Sequence, residues 1–93
     1  MKAHRDCSDR LSFILSSDSE AFHGFAERMI SLYGAAVSEL DGLDQRYRDF
    51  DVHGVIVVLH SDVMVGVSIQ VENGTDEELL RAIAWKLKET AAQ

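Results

Sequence analysis

Ninety-three residues with 46% hydrophobic content suit one folded domain, and a chain of this length buries about 60–65% of the surface its unfolded form exposes. Sixteen Asp and Glu against nine Lys and Arg leave a net charge of -7, which repels phosphate backbones and anionic bilayers and so excludes nucleic acid and membrane as expected partners. Cys7 is the single cysteine, so no internal disulfide is expected; with no leader-like or membrane-spanning apolar run either, the expectation is a soluble cytoplasmic protein.

Residues 1–10 are charged and polar, too much so to be buried, and are expected to form a loose arm ahead of a single α+β domain over 11–93. Leu11, Phe13 and Leu15 alternate with Ser12, Ile14 and Ser16, the period of a strand. Ser17-Asp18-Ser19-Glu20 has the form of a capping box, in which a Ser hydroxyl accepts from a first-turn amide and Glu20 reaches back, so a helix is predicted to start there. Phe22, Phe25, Met29, Leu32 and Tyr33, with Ala26 and Ile30 beside them, form its apolar stripe, and Gly34 ends it. Ala35–Leu40 reads as a short strand before a turn at Asp41-Gly42-Leu43-Asp44.

The clearest pattern lies between Arg46 and Glu72, which reads as three antiparallel strands. His53-Gly54 suits a two-residue hairpin turn whose backbone needs positive φ, which Gly adopts freely. Such a turn sets Val52 opposite Val55, Phe50 opposite Val57 and Tyr47 opposite His60, and opposed residues share a face. Phe50, Val52, Val55, Val57 and Leu59 then point one way. Val63, Val65, Val67, Ile69 and Val71 join them if the second turn has an odd number of residues, for which His60-Ser61-Asp62 is the candidate. The opposite face carries Tyr47, Asp49, Asp51, Ile56, Val58, His60, Met64, Ser68 and Gln70.

Asn73-Gly74 breaks the third strand, and Thr75-Asp76-Glu77-Glu78 repeats the capping signature ahead of a helix running to about Thr90. Leu79, Leu80, Ile83, Ala84 and Leu87 form its stripe, and Glu77 and Arg81 are spaced for an i,i+4 pair. Trp85 lies off the centre of the stripe, suiting either the edge of the core or an anchor for a partner. Two apolar stripes and one apolar sheet face resolve as an α+β two-layer sandwich of order β-α-(β)-β-β-β-α. Four or five antiparallel strands would carry both helices on one face.

No constellation demands catalysis, a metal or a cofactor, and none of the three is expected. His4 and Cys7 have zinc-like spacing without a second ligand pair. The glycines stand singly, not in a phosphate-binding loop, and no Ser has nucleophile-elbow context. The run Leu43-Asp44-Gln45-Arg46-Tyr47-Arg48-Asp49-Phe50, followed by His53-Gly54, Leu59-His60 and Val65-Gly66-Val67-Ser68-Ile69, resembles a group of small stand-alone bacterial proteins with no established activity. That resemblance implies no catalytic residue. Small acidic bacterial proteins of this general build include immunity proteins that neutralise a toxin, an analogy of size and charge alone.

The functional expectation is a non-enzymatic module that binds a protein partner, basic in charge, through the open sheet face: Tyr47, Asp49, Asp51, Ile56, Val58, His60 and Met64. The alternatives are a homodimer formed through that face or an edge strand, and a small enzyme using His60 with Asp49 or Tyr47.

Overall fold

The computed structural model describes residues 3–5, 11–71 and 77–91. In chain order the elements are β1 (Ala3–Arg5), β2 (Leu11–Ser16), a 3-10 turn (Ser19–Ala21), α1 (Phe22–Tyr33), β3 (Ser38–Asp41), β4 (Gln45–Val52), β5 (Val55–Asp62), β6 (Gly66–Val71) and α2 (Glu77–Ala91). The strands form one antiparallel sheet in the order β1-β2-β6-β5-β4-β3. Ala3–Arg5, inside the segment expected to be a loose arm, pair with β2 as an edge strand; the rest of that segment lies outside the described residues.

The hairpin at His53-Gly54 sets the register of the sheet. His53 adopts φ 55° and Gly54 φ 85°, the two left-handed residues of a tight turn whose twist matches the strands it joins. Asp51 steadies it, its Oδ1 accepting from the Gly54 amide at 2.9 Å. Val52 pairs with Val55, Phe50 with Val57 and Tyr47 with His60, so β4 and β5 sort their side chains as predicted.

The inner face takes both helices. α1 lies over β4 and β5, and α2 over β2 and β6. Leu11, Phe13, Phe50, Val57, Leu59, Val67 and Ile69 from the sheet meet Phe22, Phe25 and Met29 of α1 and Leu80, Ile83 and Leu87 of α2 in one buried cluster. At about 25 cal/mol per Å² of apolar surface, this burial is the main force holding the layers together.

The third strand starts later than its alternation suggests. β5 runs on to Asp62, which pairs with Gly66, so the turn is Val63-Met64-Val65 in place of His60-Ser61-Asp62. Asp62 organises it: its Oδ1 accepts from the Met64 amide at 2.8 Å and its carbonyl from the Val65 amide at 3.2 Å. The loop length stays odd, which keeps Val67, Ile69 and Val71 on the inner face and leaves Val63 and Val65 exposed. At Gly66, φ 112°, β2 presses close: a Cβ there would stand 2.1 Å from the Ser16 carbonyl oxygen. That contact coincides with the register shift between Ile14 and Ser16, a bulge that only glycine opposite it accommodates. Ser61 is an inner-face residue of β5, buried, with its hydroxyl toward the Ser19 carbonyl at 3.4 Å.

The helix boundaries also differ from those the sequence predicts. The first cap is Asp18, whose Oδ1 accepts from the Glu20 amide at 2.9 Å, and Ser17 precedes the 3-10 turn. Leu32 and Ile30 lie on the exposed side of α1, and the chain leaves it at Gly34. On α2 the Glu77–Arg81 pair forms at 2.8 Å, whereas Trp85 is 66% exposed, well off the core edge. The Asn73-Gly74 break and the Thr75-Asp76 half of the second capping signature lie outside the described residues.

Candidate functional site

The face of the sheet away from both helices is built by the same alternation that fills the core. β4 contributes Tyr47, Asp49 and Asp51; β5 contributes Ile56, Val58 and His60; β6 adds Ser68 and Gln70; β3 adds Ser38 and Leu40. A two-residue hairpin makes Val52 and Val55 a hydrogen-bonded pair. Bonded pairs then recur at every second position, and Tyr47 and His60 fall in the closer, non-bonded class. Their rings stack accordingly, with centroids 4.5 Å apart and planes 12° from parallel.

Two amides fix this stack. The Tyr47 hydroxyl donates to Gln45 Oε1, which also lies 3.3 Å from His60 Nε2, and Gln70 Nε2 lies 3.2 Å from His60 Nδ1. With the Gln70 amide donating to Nδ1, the ring proton belongs on Nε2, where it meets Gln45 Oε1. Each amide group is diagonal to His60 across a strand: Gln45 pairs with Asp62, and Gln70 with Val58. The alternation of the third strand already puts Gln70 on this face, whereas Gln45 stands just ahead of the strand start expected at Arg46 and is reached only by carrying the Tyr47–His60 register two residues further.

Shallow hollows flank the stack. One, of about 290 Å³, is lined by Ser38, Leu40, Tyr47, Asp49, Val58, Gln70 and Val71. The other, of about 280 Å³, is bounded by Ser12, Ile14, His60, Ser68 and Gln70 among others. Both fall just short of the usual range for small-molecule sites and are open to solvent.

The carboxylates divide by role. Asp51 and Asp62 serve the two turns. The carboxylate of Asp49, a half-buried residue opposite Val58, makes no hydrogen bond or ion pair among the described residues. It therefore does not orient His60 as a catalytic carboxylate would. Ile56, 47% exposed, and the half-buried Val58 lie on this face as predicted. Met64 does not: it tips the β5–β6 turn, 88% exposed, and is corrected out of the patch because Asp62 draws residues 63–65 into a turn.

The arginines of β4 belong to the helix side. Arg48, opposite Glu39 and Leu59 on the inner face, donates to Asp41 Oδ1 at 2.6 Å, comes within 3.8 Å of Glu39 and lies over the Phe22 ring at 5.3 Å. The hydrogen bond from Arg48 holds the Asp41 carboxyl below the usual aspartate range and in turn raises the guanidinium. Arg46 Nη1 reaches His23 Nε2 at 2.9 Å. No lysine or arginine among the described residues lies on the outer face.

Among the described residues no group of three or more His, Cys, Asp and Glu is placed to hold a metal ion, and the His4 and Cys7 side chains fall outside them. No described helix is long and apolar enough to cross a membrane. Compared with family models, with curated proteins and with solved structures, the chain matches none.

Proposed function

We propose that the chain is a protein-binding module whose uncovered sheet face takes a basic partner, in the manner of a small inhibitor or immunity protein. The observation that carries this is the pairing of exposed Ile56 and Leu40 with an unpartnered Asp49 carboxylate on a face without lysine or arginine among the described residues. Apolar side chains on the solvent side of a sheet add nothing to the core, and a partner's surface would remove them from water. The rigid Tyr47–His60 stack supplies a ring surface already ordered before binding, which lowers the entropy lost on association. A chain of net charge -7 would draw a basic partner, quickly at low salt and more slowly as salt screens the field.

Affinity capture from the native host with the whole chain, run beside Tyr47→Ala and Trp85→Ala variants, tests this reading. The expected result is a basic protein retained by the parent and by Trp85→Ala but lost from Tyr47→Ala, with retention weakening as salt rises. Capture indifferent to Tyr47, or lost with Trp85, would overturn it.

A further inference from the structure

We propose that the partner enters as an extended basic segment that adds to β3 as a further strand and seats an arginine or lysine beside Asp49. This rests on the reading of the sheet face above and specifies how the partner is held.

β3 is the last strand in the sheet order, and all four of its residues are exposed. Gly42 N donates to Gln45 O at 2.7 Å, and Val37 N to Asp49 O at 2.8 Å. With Ser38 opposite Asp49 and Leu40 opposite Tyr47, the alternation of an antiparallel ladder turns the backbone of Ser38, Leu40 and Gly42 toward β4. The N–H and C=O groups of Glu39 and Asp41 then face outward, where no described strand pairs with them. A row of such groups is a template for another strand, and incoming main chain supplies affinity while alternate side chains supply selectivity.

Charge decides which strand can use it. In a two-fold pairing of β3 with a second copy, registers centred on Glu39, Leu40 or Asp41 set Glu39 against Glu39, Glu39 against Asp41, or Asp41 against Asp41. Like charges directly opposed disfavour all three, and Arg48 is already engaged by both acids. A basic strand meets the opposite situation on the helix side of the edge, where two carboxylates, Glu39 and Asp41, share the single Arg48 guanidinium and leave negative charge in excess.

On the outer side, the position opposite Ser38 aims across that small side chain at Asp49, two inter-strand steps or about 10 Å away. Only a long side chain covers that gap. Leu40 and Val58 wall the hollow on the way and would lie along the methylene stem of arginine or lysine, leaving its charged head at the Asp49 carboxylate.

The probe is an eight-residue peptide of alternating threonine and arginine, titrated into the full chain and followed by backbone amide resonances and hydrogen exchange. Slowed exchange at Glu39 and Asp41 together with shifts at Asp49 and Val58 is expected. Affinity should fall at least about tenfold with Asp49→Asn, with Glu39→Pro, and with a peptide N-methylated at alternate residues. Proline at 39 removes an outward amide and spares the ladder to β4; should that variant fail to fold, the N-methylated peptide probes the same hydrogen bonds from the other side. Unchanged exchange at Glu39 and Asp41 at millimolar peptide overturns strand addition. If Ile56 and Val58 nonetheless shift, the binding face survives without it, and shifts confined to α1 or α2 overturn both.

Discussion

The two sides of β4 and β5 obey different rules. On the inner side Phe50, Val52, Val57 and Leu59 are fully buried, and their identity follows from the need to fill the space beneath two helices. On the outer side Tyr47, Asp49, Ile56 and Val58 meet solvent or one another, and a strand with threonines in their place would pair as well. Folding therefore accounts for the first set and constrains the second far less, which is the room the proposed binding role would use.

Substitutions on either side put this contrast to the test. Phe13→Ala, buried between the sheet and the helices, is expected to cost about 3–5 kcal/mol in urea unfolding, enough to unfold much of a domain of ordinary stability. Gly66→Ala should come next. Its left-handed backbone alone costs about 1–3 kcal/mol in a non-glycine residue, and a methyl 2.1 Å from Ser16 O must also push the bulge away. Tyr47→Ala loses a ring stack of about 0.5–1.5 kcal/mol and should leave the fold intact while abolishing partner capture. A larger loss of stability would move Tyr47 from the binding set to the folding set.

Asp41→Asn is the smallest of the series and carries a pH signature. The folded carboxyl titrates below its ordinary value, so its contribution is complete above the ordinary aspartate range and disappears as pH falls through the lowered value. Parent and variant should differ in urea midpoint at neutral pH and converge in acid, with the gap narrowing in high salt.

Much of the architecture was legible because one dipeptide determines it. His53-Gly54 gives the hairpin, and side-chain alternation then assigns every residue of β4 and β5 to a face. What escaped depends on contacts between distant segments. Val63 and Val65 alternate like strand residues, yet the Asp62 carboxylate and the tight approach of Ser16 to Gly66 impose a turn first. Trp85 shares its helix with a buried stripe but stands 66% exposed, so the core-edge placement does not hold, and how far the core reaches around a helix is set by tertiary packing that local sequence does not encode. Within the site, the Tyr47–His60 pairing was derivable, whereas the hollow beside Asp49 required β3 to be placed, from a segment whose strand character was weak.

The junction of β2 with β6 carries a final implication, for handling the protein. β3 to β6 form a meander joined by short turns, but β2 meets β6 from a remote stretch of the chain, Leu11 pairing with Val71, and the ladder is interrupted by a bulge between Ile14 and Ser16. Contacts between remote stretches of chain are bought with the largest loop entropy, which makes this seam the natural line of parting under mild heat. Parting would bare six residues, Gly66 to Val71, with Val67, Ile69 and Val71 newly wet and their amides unpaired. Such an edge seeds fibrils, so concentrated stocks held warm should fail by ordered aggregation.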